Sequence, residues 1–161
     1  MAGKGTPATV ALTKQKVAFT AHAYEVDAGA PSYGEAVASA LGVAAERVFK
    51  TLVAMVDGRL AVGVVPVSAS LDLKALAAAL GGKRASMAEP AAAERATGYV
   101  TGGISPFGQR SRLPLVVDAT AEQWTTVYVS GGRRGLQVEV APGDLIRLTG
   151  GTVALISATT R

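Results

Sequence analysis

Two apolar, β-branched runs, at 48–56 and 60–67, are joined through Asp57-Gly58. A type I′ turn needs positive φ at both central residues, which Asp-Gly supplies, so the pair reads as an antiparallel hairpin. Val48, Leu52, Ala54 and Val56 share one side of the first strand, and Phe49, Val53 and Met55 share the other. Neither parity is polar, so this ribbon has to be covered on both faces, and the rest of the chain must supply the cover.

The surrounding pattern does so. Helical spacing is read at 8–16 and at 33–41, where Ala36, Val37, Ala40 and Leu41 recur before Gly42 stops the run. It returns at 71–80, with Leu73, Leu76, Ala77 and Leu80 on one face and Gly81-Gly82 at the end. A fourth helix is expected at 89–97, with Pro90 in its first turn, and a fifth at 142–148, opened by Pro142. Further strands are expected at 18–26, 115–118, 125–129, 136–140 and 152–156. Strands outnumber what a parallel βαβ array would provide. The expected class is α+β: a mixed, largely antiparallel sheet curled toward a barrel, with helices outside. No repeat or low-complexity linker divides the chain, so one domain over 1–161 is expected, with 1–7 as a flexible tail.

Composition removes several chemistries. There is no cysteine, which excludes disulfides, thiolate zinc sites and a cysteine nucleophile. His22 is the only histidine, so neither an imidazole metal cluster nor a charge relay using a second histidine can be built, and no metal or cofactor is expected. At 49% hydrophobic and 17% charged residues the chain is too apolar for disorder, yet no run reaches the roughly 20 apolar residues of a membrane span. The N-terminus lacks a secretory pattern, and a cytoplasmic address is expected. A net charge of +4 favours polyanionic partners. Lys83-Arg84, Arg110-Ser-Arg112 and Arg133-Arg134 are clumped: gathered on one side they would track phosphates, and dispersed they are solvated charge.

Three places depart from ordinary packing. Lys50 lies in the doubly apolar strand, and its ammonium either snorkels to water near the strand end or stands at the mouth of a pocket, where it can hold a phosphate or ribose edge. The loop at 98–108 contains Gly102-Gly103-Ile104-Ser105-Pro106; adjacent glycines admit close approach of backbone amides to a ligand, and proline stiffens the segment. It lacks the Gly-Lys-Ser/Thr ending of a nucleotide-phosphate loop. At 127–135 a strand runs into a glycine-rich turn through Ser130, a residue suited to turn capping and without the Gly-x-Ser-x-Gly setting of a hydrolase nucleophile.

Together these strings resemble the YbaK family of Cys-tRNA(Pro) deacylases, relatives of the editing domain inserted in bacterial prolyl-tRNA synthetase. The resemblance runs from about Val10 to Ile156 and is carried by His22-Ala-Tyr24, Phe49-Lys50-Thr51-Leu52, Leu71-Asp-Leu73-Lys74, Ser86-Met87-Ala88, Thr97-Gly-Tyr99, Gly102-Gly-Ile-Ser-Pro106-Phe-Gly-Gln109 and Tyr128-Val-Ser130-Gly-Gly-Arg-Arg-Gly135-Leu136. It implies a YbaK-like fold with a pocket for the aminoacylated 3′ end of tRNA. It also implies catalytic roles for Lys50 and Gly102, and a substrate-binding lining of Tyr24, Tyr33, Thr51, Gly103, Ile104, Ser105, Pro106 and Ser130. Tyr33 stands where relatives often carry phenylalanine, and Gln137 where acidic or small polar residues occur.

The implied mechanism is substrate-assisted: the thiol of the attached cysteine attacks its own ester carbonyl, releasing tRNA and a cyclic thiolactone. Such an enzyme needs neither Cys nor His, because the nucleophile arrives with the substrate, and it supplies orientation and a stabilised oxyanion. A ternary complex with prolyl-tRNA synthetase is expected. Removal of alanine by water attack and non-catalytic binding of tRNA ends or nucleotides are the alternatives.

Overall fold

The computed structural model describes residues 5–26 and 33–159. In chain order these form α1 (Pro7–Lys14), β1 (Thr20–Ala23), α2 (Tyr33–Leu41), β2 (Phe49–Val56), β3 (Arg59–Pro66), β4 (Ala69–Leu71), α3 (Leu73–Ala79), β5 (Ala85–Met87), α4 (Pro90–Thr97), β6 (Leu115–Asp118), β7 (Val127–Arg133), β8 (Leu136–Val140), α5 (Pro142–Thr149), β9 (Thr152–Ala154) and β10 (Ser157–Thr159). Short 3-10 turns at Ala45–Arg47 and Ala119–Gln123 complete the set.

The central hairpin is β2–β3, paired from Phe49↔Pro66 to Val56↔Arg59, and positive φ at Asp57 (49°) and Gly58 (83°) makes the turn the dipeptide demands. It sits inside a five-stranded mixed sheet of order β5-β2-β3-β6-β9, with β6 and β9 added in parallel. A second, antiparallel sheet has the order β1-β8-β7, and β10 pairs with β4 in a third. The mixed sheet flanked by helices is therefore as expected, but it does not close into a barrel: three separate sheets share the core. The reason lies in strand length. Three of the ten strands' outer members, β5, β9 and β10, are three residues long, too short to seal one sheet edge to another.

Both faces of the hairpin are covered. Phe49, Val53, Val62 and Val64 meet Leu12, Val127, Val129, Val138 and Leu145 in one cluster between the two larger sheets. On the opposite face Ala54, Val65 and Val116 pack with Leu76 and Ala77 of α3 and with Ile156. A fully buried side chain of this size contributes roughly 1.5–3 kcal/mol by leaving water.

Thr6 and Pro7, which fall within the expected tail over 1–7, are structured. Thr6 caps α1, accepting from the Thr9 N–H (3.1 Å), and its hydroxyl donates to the Gly131 carbonyl (2.5 Å), while Pro7 is already the first helical residue. Residues 1–4 lie outside the described residues. Among the described residues no helix is long and apolar enough to cross a membrane.

Asp118, fully buried at the end of β6, clasps the C-terminal segment. One carboxylate oxygen accepts from the Ile156 and Ser157 N–H groups (2.8 and 2.9 Å), and the other from Thr120. Asp118→Ala leaves three backbone donors, those of Thr120, Ile156 and Ser157, without this partner and is expected to cost about 3 kcal/mol in urea unfolding. An unchanged unfolding midpoint would mean that packing alone holds this turn.

Candidate active site

The site arises where a strand stops. β5 pairs with β2 only at Ala54, Met55 and Val56, and the last link on that side is the Ala88 N–H to the Val53 carbonyl (3.1 Å). Beyond it, residues 50–52 have no strand neighbour on that side, until Val48 bridges Tyr128 of β7. A cavity of about 310 Å³ opens there, and because it wraps the edge it takes side chains from both parities of β2, Lys50 and Thr51. Tyr33 of α2, Gly102 and Ile104 of the 98–108 loop, and Ser130 and Gln137 of the β7–β8 pair form the other walls.

Among the described residues Lys50 is the only ionic side chain on this lining, with no carboxylate beside it there. Burial pushes its amine below the ordinary lysine range, with Glu35 acting weakly in the opposite sense. Among the described residues it has no hydrogen-bond or ion-pair partner. Two further polar atoms are left over: Thr51 Oγ1 and Gln137 Oε1 are both buried and unpartnered. A native interior pairs such groups almost without exception, so these two oxygens are unpaired within the wall. Lys50 is the charged group on the mostly apolar lining, placed to meet an acceptor or anion.

The glycine loop is held by its ends. Tyr99, buried, donates its hydroxyl to the Phe107 carbonyl (2.5 Å), and burial raises its pKa. Ser105, fully buried, accepts from the Phe107 N–H (3.2 Å), and Gln109 donates to the Ser105 carbonyl (2.9 Å). These bonds turn Ser105 and Pro106 away from the cavity, and Pro106 faces two other surface hollows. What remains to meet a ligand is Gly102, at φ +92°, and Ile104. The Gly103 N–H is used by the Val100 carbonyl (2.9 Å), whereas those of Gly102 and Ile104 bond no other backbone group.

Gly103 has a packing role. A Cβ there would sit 2.8 Å from Arg133 Cα, so two backbones touch where only glycine fits. Arg134 lies over Gly102 and donates to the Thr101 carbonyl (2.8 Å), while Glu94 accepts from the Thr101 N–H and hydroxyl (2.8 and 2.9 Å).

Of the residues singled out from the sequence, Lys50, Gly102, Tyr33, Thr51, Ile104 and Ser130 come together on one cavity. Tyr24 stands behind it, its hydroxyl 3.4 Å from that of Tyr33, and burial with this contact pushes the Tyr33 phenol up to about 12. Ser130 lines the cavity and also caps its own turn by accepting from the Gly132 N–H (3.1 Å). Ser105 and Pro106 do not reach it. Gln137 and Thr101 are polar lining residues to which sequence patterns assign no role, as is the case for the apolar wall from Val37, Phe49, Val67 and Met87. The signal for Gln137 was available in register, since it is the cross-strand partner of Ser130, and such pairs share a face. His22 serves the framework: its ring meets Glu139 (2.9 Å) and Tyr128, and Glu139 also accepts from Thr126 (2.6 Å) and Arg47 (3.2 Å).

Comparison with known proteins gives this geometry a context. The model of the aminoacyl-tRNA editing domain family matches residues 28–148. The chain belongs to that family. EbsC of Enterococcus faecalis (strain ATCC 700802 / V583), a proposed Cys-tRNA(Pro)/Cys-tRNA(Cys) deacylase, is 40% identical over 124 residues, covering 76% of each protein. The multifunctional Ser/Thr-tRNA deacylase ProXp-y of Escherichia coli (strain K12) is 32% identical over 119 residues, 71% of each. Among solved structures, a proposed trans-editing enzyme for prolyl-tRNA synthetase superimposes with a TM-score of 0.80 at 24% identity, covering 94% of this chain and 95% of that one. The three-sheet arrangement around the notch is thus the fold of this editing family.

The lowered Lys50 pKa makes a stability prediction. Between the folded pKa and the ordinary lysine value of about 10.4, the unfolded chain holds a proton that the folded chain has lost, so stability rises with pH across that window. Lys50→Met removes the penalty. The variant is expected to melt higher than wild type, by most below the folded pKa and by progressively less as pH rises toward the ordinary value. Parallel melting curves across the alkaline range would show a gap independent of pH if the amine were in fact freely solvated.

Proposed function

We propose that this editing-family deacylase removes cysteine from Cys-tRNA(Pro), the substrate thiol acting as nucleophile. The observation that supports the reading is an unpartnered, half-buried ammonium on a mostly apolar cavity whose lining, among the described residues, carries no carboxylate or imidazole to act as a base. Lys50 holds the 3′-terminal adenosine or its phosphate. The N–H groups of Gly102 and Ile104, which bond no other backbone group, polarise the ester carbonyl and stabilise the oxyanion, and the cavity walls hold the rotamer that brings sulfur over the carbonyl carbon. The sulfur–carbon bond forms, the carbon–oxygen bond to the ribose breaks, the proton passes to the leaving ribose oxygen, and a cyclic thiolactone departs. Chemistry of this kind asks the protein for position and electrostatics alone, which is what a chain without cysteine and with a remote histidine can supply.

A hydroxyl amino acid is the second reading, favoured by the kinship with a Ser/Thr-tRNA deacylase. We also propose that 1–161 acts as one editing domain and that it works in trans beside prolyl-tRNA synthetase, in a ternary complex.

A deacylation assay over Cys-, Ser-, Thr- and Ala-tRNA(Pro) with product identification tests these readings. Thiolactone from Cys-tRNA(Pro), with Ala-tRNA(Pro) untouched, is the expected result; free amino acid released from Ala-tRNA(Pro) would refute the cyclisation. Lys50→Ala is expected to lower kcat/KM on Cys-tRNA(Pro) by about a hundredfold through lost positioning. Rates equal to wild type would remove Lys50 from the mechanism.

A further inference from the structure

The β7–β8 pair divides two hollows. Ser130 and Gln137 face the cavity, whereas Leu136, one residue earlier on β8, faces the other way. There, between α1 and β1, lies a groove of about 760 Å³, more than twice the volume of the cavity. Its floor is apolar, from Val10, Phe19, Ala21 and Leu136, and among the described residues its charged groups are Lys14 and Arg133, with no carboxylate on the lining. Val10 is 52% exposed, a large aliphatic surface left in water at this place.

The turn joining β7 to β8 links the two hollows. Arg134 lies on the cavity side, over Gly102, and its neighbour Arg133 lines the groove; both are exposed. Two adjacent guanidinium groups thus straddle the tip, one toward each hollow. The cavity is at the small end of the roughly 300–1,000 Å³ range of ligand sites, with room for an aminoacyl group and its nucleoside but not for a strand. Whatever precedes that nucleoside must leave over the tip.

The geometry points to the groove between α1 and β1 as the seat of the single-stranded nucleotides that lead into the cavity. This rests on the reading of the cavity as the aminoacyl-adenosine site. Arg134 and Arg133 take successive phosphates as the strand crosses the tip, Lys14 takes one further along, and a base stacks on Phe19 above the apolar floor. Aromatic stacking combined with a cationic track is how proteins bind single strands without reading their sequence. A mixed basic and apolar groove lacking acid fits that chemistry. A neutral or basic peptide would leave Lys14 and Arg133 unanswered.

The test compares Lys14→Glu and Arg133→Glu with wild type on two substrates, aminoacylated tRNA and aminoacyl-adenosine, and adds the anisotropy of a fluorescent oligoribonucleotide of four to six unpaired residues. Both substitutions are at exposed positions, and turnover of aminoacyl-adenosine at the wild-type rate reports an intact fold. The expected result is roughly a tenfold or greater loss on tRNA with aminoacyl-adenosine unaffected, weaker oligonucleotide binding, and a salt dependence shallower by about 0.7 per phosphate contact removed. Phe19→Ala should weaken oligonucleotide binding with its salt slope intact. Wild-type rates on tRNA and unchanged oligonucleotide binding in both charge variants would overturn the assignment. So would a defect that emerges only when prolyl-tRNA synthetase is added, which would give the groove to a protein. If wild type cleaves neither ester, the cavity reading fails, and the anisotropy series still decides the groove.

Discussion

The rest of the site depends on the shortness of one strand contact. β5 contributes three residues of pairing to β2 and then leaves, so the polar edge of the central hairpin stays open over 50–52, up to the bridge between Val48 and Tyr128. A longer β5 would have filled that edge with backbone hydrogen bonds and excluded any ligand. The hairpin is otherwise enclosed by clusters on both faces, which gives the notch rigid walls. A cation placed on such an edge is neither in the core nor in water. That position explains both its lowered pKa and its lack of a protein partner.

The walls come from distant parts of the chain, and their alignment rests on few contacts. α2 delivers Tyr33, the 98–108 loop delivers Gly102 and Ile104, and β7–β8 delivers Ser130 and Gln137. Glu139, held below the usual carboxylate range by its bond from Thr126 and by His22, joins β1, β8 and the turn before β2 on the same face of the second sheet that carries Ser130 and Gln137.

Most of the elements could be read from residue patterns, because the signals were local. α2 at Tyr33–Leu41, β6 at Leu115–Asp118 and β8 at Leu136–Val140 fall at the expected bounds. The three-residue strands β4, β5 and β10 were not legible, since a segment of that length carries no periodicity and owes its conformation to its neighbour. The sheets stop short of a closed barrel for the same reason: those short edges decide it. Within the site, Lys50 stood out through conflict with its surroundings. Ser105 and Pro106 were grouped with the glycines by adjacency, and only the Tyr99–Phe107 bond reveals that the loop turns them inward or aside. Gln137 was hidden because its importance lies in a cross-strand register rather than in a run of sequence.

Gly103 rests directly on the backbone of Arg133, with no side chain to cushion the junction. The loop that polarises the substrate carbonyl and the tip that carries two arginines are therefore one rigid part. A tug on the exterior arginines reaches the oxyanion donors without passing through any flexible link, so grip and chemistry share a single lever. Even a methyl group at that junction would act as a wedge, parting the lever at its fulcrum.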